Sequence, residues 1–152
     1  MKKFILVAFA TLALAGAAMA QPRALGLRAT YGAEVSYQHS IDSNFIEADL
    51  GLFGNGFYLT GIYDFIFASA EGFNFYAGPG AQIGFYTVKE ECSDGCKKTT
   101  AKVGLGIAGQ LGMEYRFASI PLGLSLDWRP GFDFVNAHFG WEGFALGIRY
   151  TF

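Results

Sequence analysis

Between Lys102 and Phe117 the chain alternates with period two. Val103, Leu105, Ile107, Leu111, Met113, Tyr115 and Phe117 occupy one set of positions, while Lys102, Gln110, Glu114, Arg116 and small residues occupy the other. Such alternation marks a β-strand with two unlike faces. At sixteen residues the stretch is far longer than the usual soluble strand of about five or six residues, and it suits one stave of a membrane barrel.

Alternation between turn signals predicts seven more strands: Ala24 to Thr30, Glu34 to His39, Phe45 to Phe53, Phe57 to Ala68, Phe73 to Val88, Leu122 to Val135 and Gly143 to Phe152. A polar loop is expected from Lys89 to Thr99. The alternation never loses phase across Tyr31-Gly32-Ala33, so these residues are either a three-residue turn or the middle of one long strand. Closed single-chain bacterial barrels have even strand numbers, which favours the turn and eight strands. Pro79 and Pro130 each remove a ladder donor in mid-strand beside a glycine, which predicts bulges at both.

One face of these strands carries Leu25, Leu27, Ile46, Leu50, Leu59, Phe65, Leu105, Leu111, Leu124, Leu126, Leu146 and Ile148. The other carries Arg28, Glu34, Glu47, Asp49, Asp64, Lys102, Glu114, Arg116, Asp127, Arg129, Asp133 and Arg149, interleaved with glycines. A water-soluble barrel would turn the charges outward and keep the apolar face for a ligand. Two features favour the opposite arrangement. Glycines weaken a strand but make room in a narrow lumen, and the apolar-face aromatics gather at strand ends as two girdles. Phe65, Phe67, Phe73, Phe75, Tyr115, Phe117, Tyr150 and Phe152 form one rim, and Phe57, Phe85, Phe132, Phe134 and Phe144 the other.

Composition sharpens this. The 152-residue chain is 52% hydrophobic, with 21 glycines, 16 Phe and 8 Tyr. Lys2 and Lys3 precede an apolar run from Phe4 to Leu14, and Ala18-Met19-Ala20 has the small-x-small pattern of a signal-peptidase site. We therefore expect residues 1–20 to be a signal peptide and 21–152 a single exported domain. Loss of Lys2 and Lys3 leaves nine basic against thirteen acidic residues, and no basic patch suited to nucleic acid. An exported, apolar chain without a helical span has one common membrane solution, a closed barrel with no strand edge left in lipid.

The signal-like start, the strand pattern and the closing FALGIRYTF resemble the small eight-stranded outer-membrane barrels of the OmpA/OmpX type. The phrases GAEVSYQH, EADLGL, FYAGPGAQIGF, LSLDWRPGF and LGIRYTF look closer still to small barrels of Bacteroides-like bacteria. The resemblance covers the whole mature chain and implies an all-β, antiparallel, up-and-down transmembrane barrel in the outer membrane. It also implies recognition of the last strand by the outer-membrane assembly machinery, with Tyr150 and Phe152 as the matching positions. It implies little about activity.

Candidate chemistry is sparse. The inward charges could form an ion path or catalytic cluster, or could fill the lumen with salt bridges; the second fits an eight-stranded barrel, whose interior is just wide enough for side chains. His39 and His138 are the only histidines, and no serine accompanies His138 in its own loop, so a lipid-modifying hydrolase is a poor match. GLGIAG places glycines on alternate strand positions, not at a strand-to-helix turn, which excludes a dinucleotide loop. No metal site or cofactor is expected. The reading is a non-enzymatic monomeric barrel contacting outer-membrane lipid, with a structural or surface-interaction role; a narrow solute pore or small-ligand binder is the alternative.

Cys92 and Cys96 bracket Asp94-Gly95 in the polar loop, and two cysteines so placed in an oxidising compartment pair most simply as a disulfide. Two thiols alone make a poor metal site. The bridge is expected to appear in intact mass spectra as resistance of both cysteines to alkylation until a reductant is added. Uptake of two alkyl groups without reductant would exclude it.

Overall fold

The computed structural model describes residues 22–91, 97–141 and 143–152. Ten strands form one sheet: β1 (Arg23–Ala29), β2 (Ala33–Ile41), β3 (Asn44–Phe53), β4 (Gly56–Ala70), β5 (Phe73–Glu91), β6 (Lys97–Arg116), β7 (Leu122–Trp128), β8 (Gly131–Asp133), β9 (His138–Gly140) and β10 (Phe144–Thr151). β7 and β8 are successive parts of one stave, and β9 and β10 of another, so the ring has eight staves. All pairings are antiparallel, and β1 closes the ring against β10 from Ala24↔Thr151 to Ala29↔Leu146. Closure leaves no long unpaired edge, which is how a sheet survives in lipid.

The turn between β1 and β2 is real: Ala29 pairs with Ala33, and the Thr30 N–H donates to the Gly32 carbonyl at 3.0 Å. Glu71 and Gly72 both have positive φ, 49° and 91°, as the two central residues of a type I′ hairpin require. Where the polar loop was expected from Lys89, β5 and β6 instead continue as a paired ribbon to Glu91↔Lys97. The backbone ladder runs on through Val88↔Thr100, Lys89↔Thr99 and Glu90↔Lys98 despite the polarity of these residues, because strand pairing is made by backbone groups. Cys92 and Cys96 lie outside the described residues, as do residues 1–20.

Both prolines interrupt ladders, but the expected bulges do not sit on the proline strands. The β4–β5 ladder stops at Ile62↔Gly80 and resumes at Phe65↔Ala77, leaving two positions on each side, Tyr63-Asp64 and Gly78-Pro79, unpaired. The extra residue falls on β4, where Phe67 separates Ile66↔Tyr76 from Ala68↔Phe75. Similarly Arg129-Pro130 separates β7 from β8, so the predicted strand from Leu122 to Val135 is two strands. On the last stave β9 ends at Gly140 and pairing resumes at Phe144, so the strand expected to begin at Gly143 has β9 before it. Proline has no N–H to give, and the neighbouring strand takes up the mismatch.

The apolar face is outside. Leu27, Leu59, Leu105, Leu111, Leu124, Leu146 and Ile148 are all exposed, whereas Arg28, Glu47, Asp49, Asp64, Glu114, Asp127 and Arg149 are buried to 2% exposure or less. Aromatic rings meet at both rims. Phe73 and Tyr115 lie 4.7 Å apart and Tyr115 and Phe117 5.0 Å apart at the rim holding the termini. Phe57 and Phe85 stack at 5.1 Å, and Trp128 and Trp141 at 6.2 Å, at the other. A band of aliphatic side chains between two aromatic girdles suits hydrocarbon between two interfaces.

This orientation has a direct consequence for Leu111, which is 47% exposed on the outer wall. Leu111→Arg is expected to cost about 2 to 4 kcal/mol of folding stability if the residue meets the bilayer midplane. Urea titration of the barrel in lipid vesicles measures it, and a near-neutral effect would mean that this wall does not face lipid.

Candidate functional site: a charged lumen

Three arginines cross the lumen at mid-height. Arg28 on β1 donates from Nη1 to Glu34 Oε2 at 2.5 Å and to Asp49 Oδ2 at 3.3 Å, and from Nε to Asp127 Oδ2 at 3.2 Å. Arg129, just after β7, donates to Asp49 Oδ2 at 2.6 Å, Glu47 Oε1 at 3.0 Å and Gln110 Oε1 at 2.8 Å. Arg149 on β10 donates to Glu47 Oε2 at 3.0 Å and to the Ser36 hydroxyl at 3.3 Å. Strands β1, β2, β3, β6, β7 and β10 all contribute. Gln110 adds β4 by donating to Asp64 Oδ2 at 3.3 Å, and Tyr76 adds β5 by donating its hydroxyl to Asp127.

Alternation explains why these side chains meet. Every second residue of each strand points inward, and eight staves enclose only enough width for side chains to touch across the middle. Backbone space is made where the largest groups lie: a Cβ at Gly112 would fall 2.6 Å from the Tyr76 ring, and one at Gly51 2.2 Å from the Tyr58 ring. Phe45 packs edge-on against Tyr76 at 5.0 Å, and both are buried in the lumen with Ile62, which pairs with Glu47.

Glu47 lies within 4 Å of all three arginines, at 3.7 Å from Arg28, 3.0 Å from Arg129 and 3.0 Å from Arg149. In so buried a place removing a partner is costly, because the charges left behind keep fewer counter-ions and gain little solvent.

The other inward charges stand apart from this cluster. Glu114 and Arg116 pair at 2.9 Å towards the termini, where Arg116 is about one-third exposed. Lys102 is exposed near the opposite end. Asp133 caps the turn after β8, accepting from the backbone N–H of Val135 at 2.8 Å and of Asn136 at 3.1 Å and from the Asn136 amide at 2.8 Å. His138, expected in a loop, is in β9 opposite Asp133. Tyr150 and Phe152 sit on the outer wall at the rim of the termini, 53% and 40% exposed.

Ser36, Gln38, Phe45, Tyr58, Thr60, Ile62 and Tyr76 belong to the lumen as well. The sequence pattern singled out only charges, yet all of these residues but Tyr76 lie an even number of positions from one of those charges on the same strand, where strict parity finds them; β5, which holds Tyr76, carries none of the twelve.

Between the arginine cluster and the loop end lies a cavity of about 310 Å³. Arg28, Arg129 and Glu34 line it along with Phe53, Tyr58 and Tyr86. A second space of about 350 Å³ shares Gln82, Arg129, Asp133 and Gly143 with it and reaches Tyr31 and His138.

The sequence matches no protein-family model and no curated protein. By structure the chain is similar to the N-terminal β-barrel domain of OprF from Pseudomonas aeruginosa, with a TM-score of 0.59 at 12% identity, covering 87% of this chain and 96% of that one. It is also similar to Neisserial surface protein A, with a TM-score of 0.56 at 11% identity, covering 87% of this chain and 94% of that one. The fold is that of the small eight-stranded outer-membrane barrels. At such identities the likeness speaks for the fold and for nothing finer.

Among the described residues, removing Arg28 takes the shortest ion pairs from Glu34 and Asp127, which keep only Arg129 at 3.6 Å and Arg149 at 3.9 Å, and leaves Asp49 to Arg129 alone. Arg28→Leu is expected to destabilise the barrel by about 3 to 5 kcal/mol, and by more than Arg116→Ala, whose guanidinium is about one-third exposed and holds a single carboxylate, the buried Glu114. Equilibrium refolding in detergent, followed by the heat-dependent gel shift of folded barrels, compares the two. Equal effects would refute a special role for the central cluster.

Proposed function

We propose that the chain is a non-conducting, non-enzymatic outer-membrane barrel whose wall and loop end serve a structural or surface-interaction role. The observation that carries this is the arginine–carboxylate cluster, which draws side chains from every stave into the middle of the lumen. Ions need a continuous aqueous path, and side chains bonded across a lumen of this width leave no room for one. The apolar outer wall with its two aromatic girdles supports residence in a bilayer, and the similarity to outer-membrane barrels supports the outer membrane as that bilayer.

In this reading the chain is exported by a signal peptide ending at Ala20. It contacts outer-membrane lipid as a monomer and is inserted by the assembly machinery through the strand bearing Tyr150 and Phe152. Kinship with the small barrels of Bacteroides-like bacteria rests on the sequence phrases that suggested it. The excess of acidic over basic residues gives no surface for nucleic acid.

Planar-bilayer recording tests the proposal. The purified barrel is expected to insert without stepwise current. Reproducible large-conductance steps would make the narrow-pore alternative the correct one.

A further inference from the structure

Beyond a structural role, we infer that the loop-end cavity is a binding site for a single small, neutral, polyhydroxylated molecule of monosaccharide size. About 310 Å³ is at the small end of ligand sites and takes one sugar ring. Three aromatic side chains, Phe53, Tyr58 and Tyr86, line the space and offer apolar surface for the C–H faces of a sugar.

Charge decides the class. Two cations, Arg28 and Arg129, and two anions, Glu34 and Asp133, line the cavity, and each is already paired or hydrogen-bonded, although Arg129 Nη1 makes no hydrogen bond of its own. Arg28 and Glu34 bond to one another at 2.5 Å, Glu34 accepts from the Tyr58 hydroxyl, Arg129 is held by Asp49 and Gln110, and Asp133 caps its turn. The charge of Arg129 is already offset by Glu34, Glu47 and Asp49, all within 3.6 Å, so a charged ligand gains little to offset its lost hydration, whereas a neutral polyol needs only hydrogen bonds and can accept one from Nη1.

Beside the Thr60 hydroxyl and Arg129 Nη1, which also lack hydrogen-bond partners, the Gln82 amide is free. It lines both connected spaces, lies 3.1 Å from where a Cβ on Gly106 would be, and makes no side-chain hydrogen bond among the described residues. An amide both donates and accepts, as a sugar hydroxyl does. The Tyr86 hydroxyl accepts from Asn136 Nδ2 at 2.8 Å and still has its own proton to donate. Gly84 leaves the room: a Cβ built there meets only the Tyr58 Cβ, at 3.8 Å.

Saturation-transfer NMR on the full barrel in detergent micelles tests the inference. Glucose, galactose and mannitol are the neutral probes, and glucosamine and glucuronate the charged ones. At least one neutral probe is expected to bind saturably, with a dissociation constant on the order of 1 mM, and more tightly than either charged analogue. Gln82→Ala is expected to weaken that binding about tenfold. Gly84→Leu should abolish it by filling the cavity while the heat-dependent gel shift still reports a folded barrel. If Gly84→Leu does not fold, Gln82→Ala decides alone. No neutral probe binding up to about 50 mM, tighter binding of a charged analogue, or binding indifferent to Gln82→Ala or to a folded Gly84→Leu would overturn the inference.

Discussion

Charge pairing inside a closed ring is the constraint on which this molecule depends. Eight staves enclose a lumen that side chains can just span, so whatever points inward meets its counterpart across the barrel, away from water. Arg28, Arg129 and Arg149 therefore bond to carboxylates on other strands, and Glu47 serves all three. A soluble protein of this size would hold itself together with an apolar core; here the apolar side chains face outward and the interior is polar. The ties that gather the staves are charge-assisted hydrogen bonds strengthened by low dielectric, and their weakness is that the loss of one partner leaves a buried charge less fully compensated.

The same cluster divides the lumen into unlike halves. On the side of the termini Phe45 and Tyr76 fill the space with rings. On the loop side, small residues such as Gly84 leave a polar cavity whose floor is the arginine cluster itself. Rigid support below and open volume above is the geometry expected of a site that holds a small molecule, and the long β5–β6 ribbon carries the wall well past it. The prolines act on the wall in a related way. Pro79 and Pro130 break ladders at mid-height, and beside Pro79 the adjacent strand absorbs the break with an extra residue, which lets the sheet curve without opening the ring.

Much of this was legible along the chain, because a β-strand's side chains alternate strictly and the two faces here differ so much in polarity. Alternation across Lys102 to Phe117 established a two-faced strand. The interleaving of glycine with charge told inside from outside, since only a crowded lumen has use for both. Parity also placed each of the twelve charged candidates on the inner face. Where expectation failed, a local rule met a non-local demand. Polarity suggested a loop from Lys89 to Thr99, but pairing across the β5–β6 ladder extended the strands. Proline suggested a bulge in its own strand, but the strand beside it had the freedom to accommodate one.

What the sequence determined by itself was the period of its strands, the identity of their two faces and hence a closed barrel with its charges inside. These are properties of neighbours along one strand, fixed by backbone geometry whatever the rest of the chain does. Which charges meet was decided only by the tertiary structure. Arg28 and Asp127 are 99 residues apart, and Arg149 and Glu47 102 apart, so their contact depends on the stagger of eight strands around the ring and on which positions left room for it. The cavity above them follows from the same stagger, since it is space that no strand could define alone.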